Sequence, residues 1–154
     1  MAGNGLRRRE GFSLIEVLVA LTILSVGLLG LAMFQVTAIK GNAIASKWTV
    51  ATELAQDKLE RFRHVAWDNN IGSSNAGGFI TGTPPQPNYA NLPGNAGDNT
   101  IVRGTQYYRV WYVNPTPGPT NTFTTITVWC CWRDDSSIWH NVMLVTQRTN
   151  VGGM

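Results

Sequence analysis

Gly11-Phe12-Ser13-Leu14-Ile15-Glu16-Val17-Leu18 is the stretch on which the reading of this chain turns. It opens an apolar run, FSLIEVLVALTILSVGLLGLAMF, from Phe12 to Phe34, whose only charge is Glu16. A run of that length spans a bilayer as a helix. Before it lies MAGNGLRRREG, in which Arg7, Arg8 and Arg9 are opposed only by Glu10. Such a basic cluster stays on the cytoplasmic side, so the C-terminal bulk of the chain is expected across the membrane.

Three uses of this N-terminus compete. A secretory signal has a shorter apolar core followed by a small-residue cleavage site, whereas here the run continues into helix-forming sequence. A plain membrane anchor fits the length but leaves Glu16 without a reason. A carboxylate inside the apolar layer costs several kcal/mol unless it is paired, which makes it a functional candidate. The third use places a cut before the apolar run, between Gly11 and Phe12. Cleavage there creates a positive amine at Phe12, and residues four apart share one helix face, so Glu16 lies one turn from that amine. The plainer alternative is that Glu16 snorkels to the membrane interface.

The stretch Gly11 to Leu18 closely resembles the type IV prepilin (N-methylation) motif: basic leader, Gly-Phe junction, spaced glutamate and unbroken apolar helix occur together. The resemblance implies that prepilin peptidase, a membrane aspartyl protease, cleaves after Gly11 and methylates the new amino group of Phe12. It implies that Glu16 aligns an incoming subunit with the growing filament by neutralising an amine, its own or a neighbour's. Two further stretches, Leu24–Ala32 (LSVGLLGLA) and Ala55–Glu60 (AQDKLE), resemble PilV-type minor pilins. Major pilins often carry a proline in the apolar segment, and none occurs here before Pro84. Gly27 and Gly30 can supply close helix packing in its place.

Beyond the membrane run the pattern turns amphipathic. Ile44, Trp48, Ala51, Ala55, Leu59, Phe62 and Ala66 recur at steps of three or four, with Lys47, Glu53, Asp57, Glu60 and Arg61 on the opposite side. Asp57 and Arg61 have the spacing of a favourable helical ion pair. One helix from about residue 12 to about residue 65 is expected, with Gly41-Asn42 its weakest point. Asn69–Asn99 is dominated by glycine, asparagine and proline and reads as a long loop with one short strand near Phe79–Thr81. A calcium site using its single aspartate, Asp98, and neighbouring carbonyls is conceivable, though one acidic side chain is few for it.

The last third reads as sheet. Gln106–Asn114, Thr122–Arg133 and Ile138–Arg148 are rich in β-branched and aromatic residues, and Pro115–Asn121 and Asp134–Ser137 are turn-like, so an antiparallel meander is expected. Ile126, Val128, Cys130 and Trp132 alternate with Thr127, Trp129, Cys131 and Arg133, so one face should pack on the helix and an unusually aromatic second face should meet the loop or a neighbouring subunit. Val142 and Leu144 should face inward. Adjacent Cys130 and Cys131 are expected as one buried thiol and one on the opposite face, unpaired, because strand side chains alternate. Two cysteines are too few for a zinc site.

The expected architecture is α+β, type IV pilin-like: a cleaved leader 1–11, a membrane or filament-core helix 12–34, an amphipathic continuation 35–66, a Gly/Asn/Pro-rich loop 67–104 and an antiparallel sheet 105–154. The expected function is a PilV-like minor pilin of a type IV pilus. A minor pseudopilin of a type II secretion or DNA-uptake system is the alternative, and an anchored periplasmic domain that never polymerises is the reading from outside the class. Expected partners are prepilin peptidase, other major and minor pilins, the inner-membrane assembly machinery and the lipid bilayer. The head is expected in the periplasm before assembly and at the pilus surface afterwards. No cofactor, metal or catalytic set is legible: nothing in the sequence brings a serine, cysteine or carboxylate to His64 or His140, and no phosphate-binding glycine motif is present. Nucleic acid is not expected either. The net charge of +3 is mostly the leader's, and no basic patch is interleaved with aromatics.

Overall fold

A computed structural model describes residues 11–65, 71–75, 77–92, 98–115 and 123–149. The arginine cluster of the leader, Ala66 and most of the separator 115–121 therefore lie outside the described residues. The chain divides into two compact units, up to Ile44 and from Ala45 onward.

The first unit is helical. Helix α1, Leu14–His64, begins here and continues into the second unit. Its hydrogen-bonded ladder runs unbroken through Gly41-Asn42, the expected weak point. Ser13 starts it, its carbonyl accepting from the amides of Glu16 at 3.0 Å and Val17 at 3.2 Å. Leu14–Phe34 rises about 30 Å at 1.5 Å per residue, the thickness of a bilayer's hydrocarbon layer. None of the most apolar window of this helix is buried. Ile44, placed by its spacing on the packing face, is 56% exposed. The apolar surround there continues past the point where the amphipathic pattern starts, so the packing face begins later than its periodicity suggests.

The second unit packs the rest of α1 on a four-stranded antiparallel sheet. Strands β1 (Ile80–Thr81) and β2 (Gln86–Pro87) form a small ribbon. Strands β3 (Asp98–Val102), β4 (Thr105–Pro115), β5 (Phe123–Arg133) and β6 (Trp139–Thr149) follow each other in the sheet in chain order. The meander matches the expected one, with one more strand. Asp98–Val102, read from sequence as the end of a loop, pairs with Thr105–Arg109. The turn between them is Arg103-Gly104, with φ of 49° and 79°. Such two-residue turns need φ > 0 at both positions and are usually Asn-Gly or Asp-Gly. Arginine at the first position hides the hairpin.

The sheet has two buried faces. On one, Tyr107, Ile126, Val128, Cys130 and Trp132 pack on Ala51, Ala55, Leu59 and Phe62, with Val142 and Leu144 at the margin. The small side chains at 51 and 55 are both fully buried in this face. On the other, Tyr108, Val110, Trp129 and Cys131 are covered by Phe79, Ile80 and Leu92 from the segment after the helix. The aromatic second face thus meets the loop.

That segment is anchored by its polar residues. Strand β3 pairs with β4 only as far as Arg109. Beyond it, Ser74 takes over the edge: its hydroxyl accepts from the Trp111 amide at 2.7 Å, and its own amide donates to the Trp111 carbonyl at 2.9 Å. The Ser73 hydroxyl accepts from the Val113 amide at 2.9 Å, and the Trp111 indole donates to the Gly72 carbonyl at 2.9 Å. Two serines thus satisfy backbone groups that a short β3 leaves open, and the indole of Trp111 in turn satisfies the Gly72 carbonyl. Asn91 donates to the carbonyls of Gly77 and Gly78, both at 3.0 Å. Gly77 has φ of 118°, and a Cβ there would meet the Phe79 ring at 2.9 Å, so only glycine fits.

Candidate functional site

The N-terminal candidates lie together at the start of α1. Gly11 and Phe12 precede the helix and are exposed, Phe12 by 82%. Glu16 sits in the first turn, where a carboxylate complements the positive end of the helix dipole. Phe12, Glu16, Val17, Ala20, Leu21 and Leu24 share one side of the helix. The carboxylate is therefore framed by apolar side chains, one turn from residue 12. Leu14, Ile15, Leu18, Ile23, Leu24 and Leu28 are all exposed around it. Nothing polar in the first unit is paired with Glu16 among the described residues, so a partner for its charge must come from outside the helical side chains.

A second ionic cluster, missed in the sequence, joins helix and sheet within the second unit. Arg109 on β4 is buried, with its side chain 9% exposed. Its Nη1 donates to Asp57 Oδ2 at 2.9 Å and its Nη2 to Asp98 Oδ1 at 2.7 Å. Lys58 lies 2.8 Å from the other Asp98 oxygen and 3.9 Å from the Trp111 ring centroid, a cation–π contact. Burial alone would raise the Asp98 pKa, but hydrogen bonds from Lys58 and Arg109 outweigh it and keep the carboxyl below its usual range. Burial would likewise lower Arg109, yet Asp98 and Asp57 raise it above its ordinary value. With both oxygens engaged by cations, Asp98 is not a calcium ligand in this arrangement. Asp57, read as solvent-facing, bridges Arg61 at 3.2 Å and the sheet.

The sequence did carry a signal for this cluster. Tyr107, Arg109, Trp111 and Val113 alternate onto one face, so Arg109 stands at an inward position among aromatics. A buried guanidinium demands carboxylates. The partners could not be named without the fold, because Asp57 and Asp98 come from a helix and another strand.

The histidines each meet a carboxylate, contrary to the sequence reading: His64 Nε2 is 3.3 Å from Glu60 and His140 Nε2 is 2.9 Å from Asp134. The His140 hydrogen bond keeps Asp134 below the usual carboxylate range. The His140 ring also stacks on Trp132 at 5.5 Å, with Trp48 edge-on at 6.2 Å. The ring is packed between two indoles, which gives it a structural contact on either side of the helix–sheet boundary. Cys130 and Cys131 are free, on opposite faces as expected, but both are buried. The segment 71–92 covers the face that sequence left open. Burial pushes the Cys130 thiol up to about 12 and raises Cys131 too, the reverse of an activated thiol. Among the described residues no group of three or more His, Cys, Asp or Glu gathers as a metal site.

Comparison with known proteins bears on the N-terminal site. Residues 6–32 match a family described as the prokaryotic N-terminal methylation motif. No curated protein and no solved structure matches the chain significantly.

Proposed function

We propose that this chain, whose residues 6–32 match the prokaryotic N-terminal methylation motif, is a type IV prepilin-like filament subunit, a PilV-like minor pilin, whose Glu16 aligns it with its neighbours. The motif implies processing by prepilin peptidase and assembly with the pilin machinery, and the long apolar helix fits anchoring in the inner membrane. In the proposed sequence of events, Gly11 is the last leader residue, Phe12 becomes the methylated N-terminus, and the sheet-bearing head occupies the periplasm before assembly and the pilus surface after it. The role is that of a building block and peptidase substrate, not of a catalyst.

The observation that carries this reading is the placement of Phe12 and Glu16 on one side of the start of a helix whose most apolar window is wholly unburied. Such a surface needs lipid first and other apolar helices next. Within either, a lone carboxylate and a lone ammonium are each heavily penalised, and their pairing removes both penalties at once. That makes register, rather than mere association, the thing Glu16 controls. The segments Leu24–Ala32 and Ala55–Glu60 favour the PilV-like assignment over a minor pseudopilin.

The test has two arms. N-terminal analysis of the membrane-extracted protein should find methylated Phe12, and an intact Met1 in a peptidase-proficient cell would overturn the reading. Glu16→Gln should insert into the membrane normally but lose most of its incorporation into filaments. Unchanged incorporation would remove Glu16 from the mechanism.

A further inference from the structure

At one end of the sheet, residues from the β3–β4 and β5–β6 hairpins line a concavity of about 280 Å³. It lies on the face away from α1, as Tyr108 and Trp139 belong to the second packing cluster. These two rings form its apolar wall, and both are held in place. Tyr89 stacks on the Trp139 indole at 5.4 Å with 18° between planes, and Tyr108 meets it at 5.8 Å and 62°. Tyr89 is fixed in turn by Asn141, whose side-chain amide donates to its hydroxyl at 2.6 Å. A platform set before the ligand arrives loses little entropy on binding.

The polar wall is built from strand ends and turns. Arg133 closes β5, and its Nε donates to the Ser137 carbonyl at 2.9 Å. That bond orients the guanidinium, whose terminal nitrogens make no hydrogen bond among the described residues. Thr105 adds a hydroxyl, Gln106 an amide that also donates to Asn99 Oδ1 at 3.5 Å, and Asp135 a carboxylate that also pairs with Lys47 at 3.5 Å. Each of the two hairpins carries a non-glycine residue at positive φ, Arg103 at 49° and Ser137 at 64°. Both are turn conformations of the hairpins that carry them.

The lining restricts the ligand in three ways. Arg133 and Lys47 share the one carboxylate, Asp135, whose Oδ1 lies 3.5 Å from Lys47 Nζ, so a simple cation is disfavoured. Donors and acceptors beside an indole suit a molecule with hydroxyls around its rim and an apolar C–H face. The volume falls just under the roughly 300–1,000 Å³ of drug-sized pockets, which fits a single ring. We propose that this concavity binds one neutral pyranose ring, as a free sugar or as the terminal residue of a glycan, with Trp139 as the stacking surface. The inference stands apart from the filament role, since it uses only the second unit.

The test uses the full chain in micelles of a detergent without a sugar headgroup, with tryptophan indoles labelled for NMR. The methyl pyranosides of glucose, galactose, mannose and N-acetylglucosamine are titrated in turn, and the Trp139 resonance is assigned with Trp139→Phe. At least one sugar should shift Trp139 saturably. Gln106→Ala and Arg133→Gln, which alter exposed side chains and leave the aromatic cluster intact, should each weaken that binding about fivefold, the loss of one hydrogen bond. An oligosaccharide ending in the same ring that binds more tightly assigns the site to glycans, and equal binding assigns it to the free sugar. The proposal is overturned if no sugar moves Trp139, if both variants bind as the parent does, or if glycine or inorganic phosphate shifts Trp139 while the sugars do not.

Discussion

Arg109 and Asp98 differ in what their loss would leave behind, although they belong to one cluster. Replacing Arg109 with methionine leaves each carboxylate a cation: Lys58 stays 2.8 Å from Asp98, and Arg61 stays 3.2 Å from Asp57. It also removes Arg109 Nε, a buried donor with no partner, whose desolvation costs about 1–3 kcal/mol. Replacing Asp98 with asparagine leaves Lys58 without its carboxylate, while Arg109 and Arg61 share Asp57 alone. Asp98→Asn should therefore cost about 3 kcal/mol, and Arg109→Met less than half of that, read from urea-unfolding midpoints. The reverse order would show that the guanidinium, not the aspartate, organises the cluster. The thiols make a second residue-scale prediction. With burial raising both, Cys130 to about 12, neither should react with iodoacetamide at pH 8 until urea unfolds the head. Labelling in the native state would place one of them outside the packed faces.

Helix α1 behaves as two elements with one backbone. From Leu14 to Ile44 its side chains lack packing partners within their unit, and a Cβ at Gly27 or Gly30 meets nothing within 4 Å. Gly30→Ala should leave the head's unfolding midpoint unchanged, and a measurable shift would reveal a contact made by that turn. From Ala45 to His64 the helix is bound to a sheet, and Ala51 and Ala55 are fully buried against it. Ala55→Leu inserts a branched side chain at a fully buried position, and should cost about 1–3 kcal/mol by overpacking. A neutral result would mean that helix and sheet slide apart at little cost. The periodicity that revealed this element was legible because amphipathic spacing is a local property. Its true starting point was not, because Ile44 continues the pattern while remaining 56% exposed.

For the second unit as a whole, acid is the natural denaturant. The folded pKa of Asp98 is depressed, so its contribution is present above the unfolded value, about 3.9. That contribution is lost as pH falls through the lower folded value. Stability should therefore be flat from neutral pH to about 5 and decline below about 4, and Asp98→Asn should make that decline shallower, leaving the part that Asp134 carries. A parent and variant with parallel acid profiles would assign the acid sensitivity to other groups.

The N-terminal signature, the α+β class, the meander and the two-faced sheet were readable in the chain because each depends on near neighbours: an unbroken apolar run, a glutamate one turn from Phe12, alternation along β5. What joins distant residues was decided only in three dimensions. Strand β3 was hidden by an arginine in a glycine-type turn, Cys131 was buried by a loop some fifty positions earlier, and Arg109 drew its carboxylates from Asp57 and Asp98. A charge on an inward strand position announces that it needs a partner, but which partner it meets is set by chain topology, and topology is not a local property of sequence.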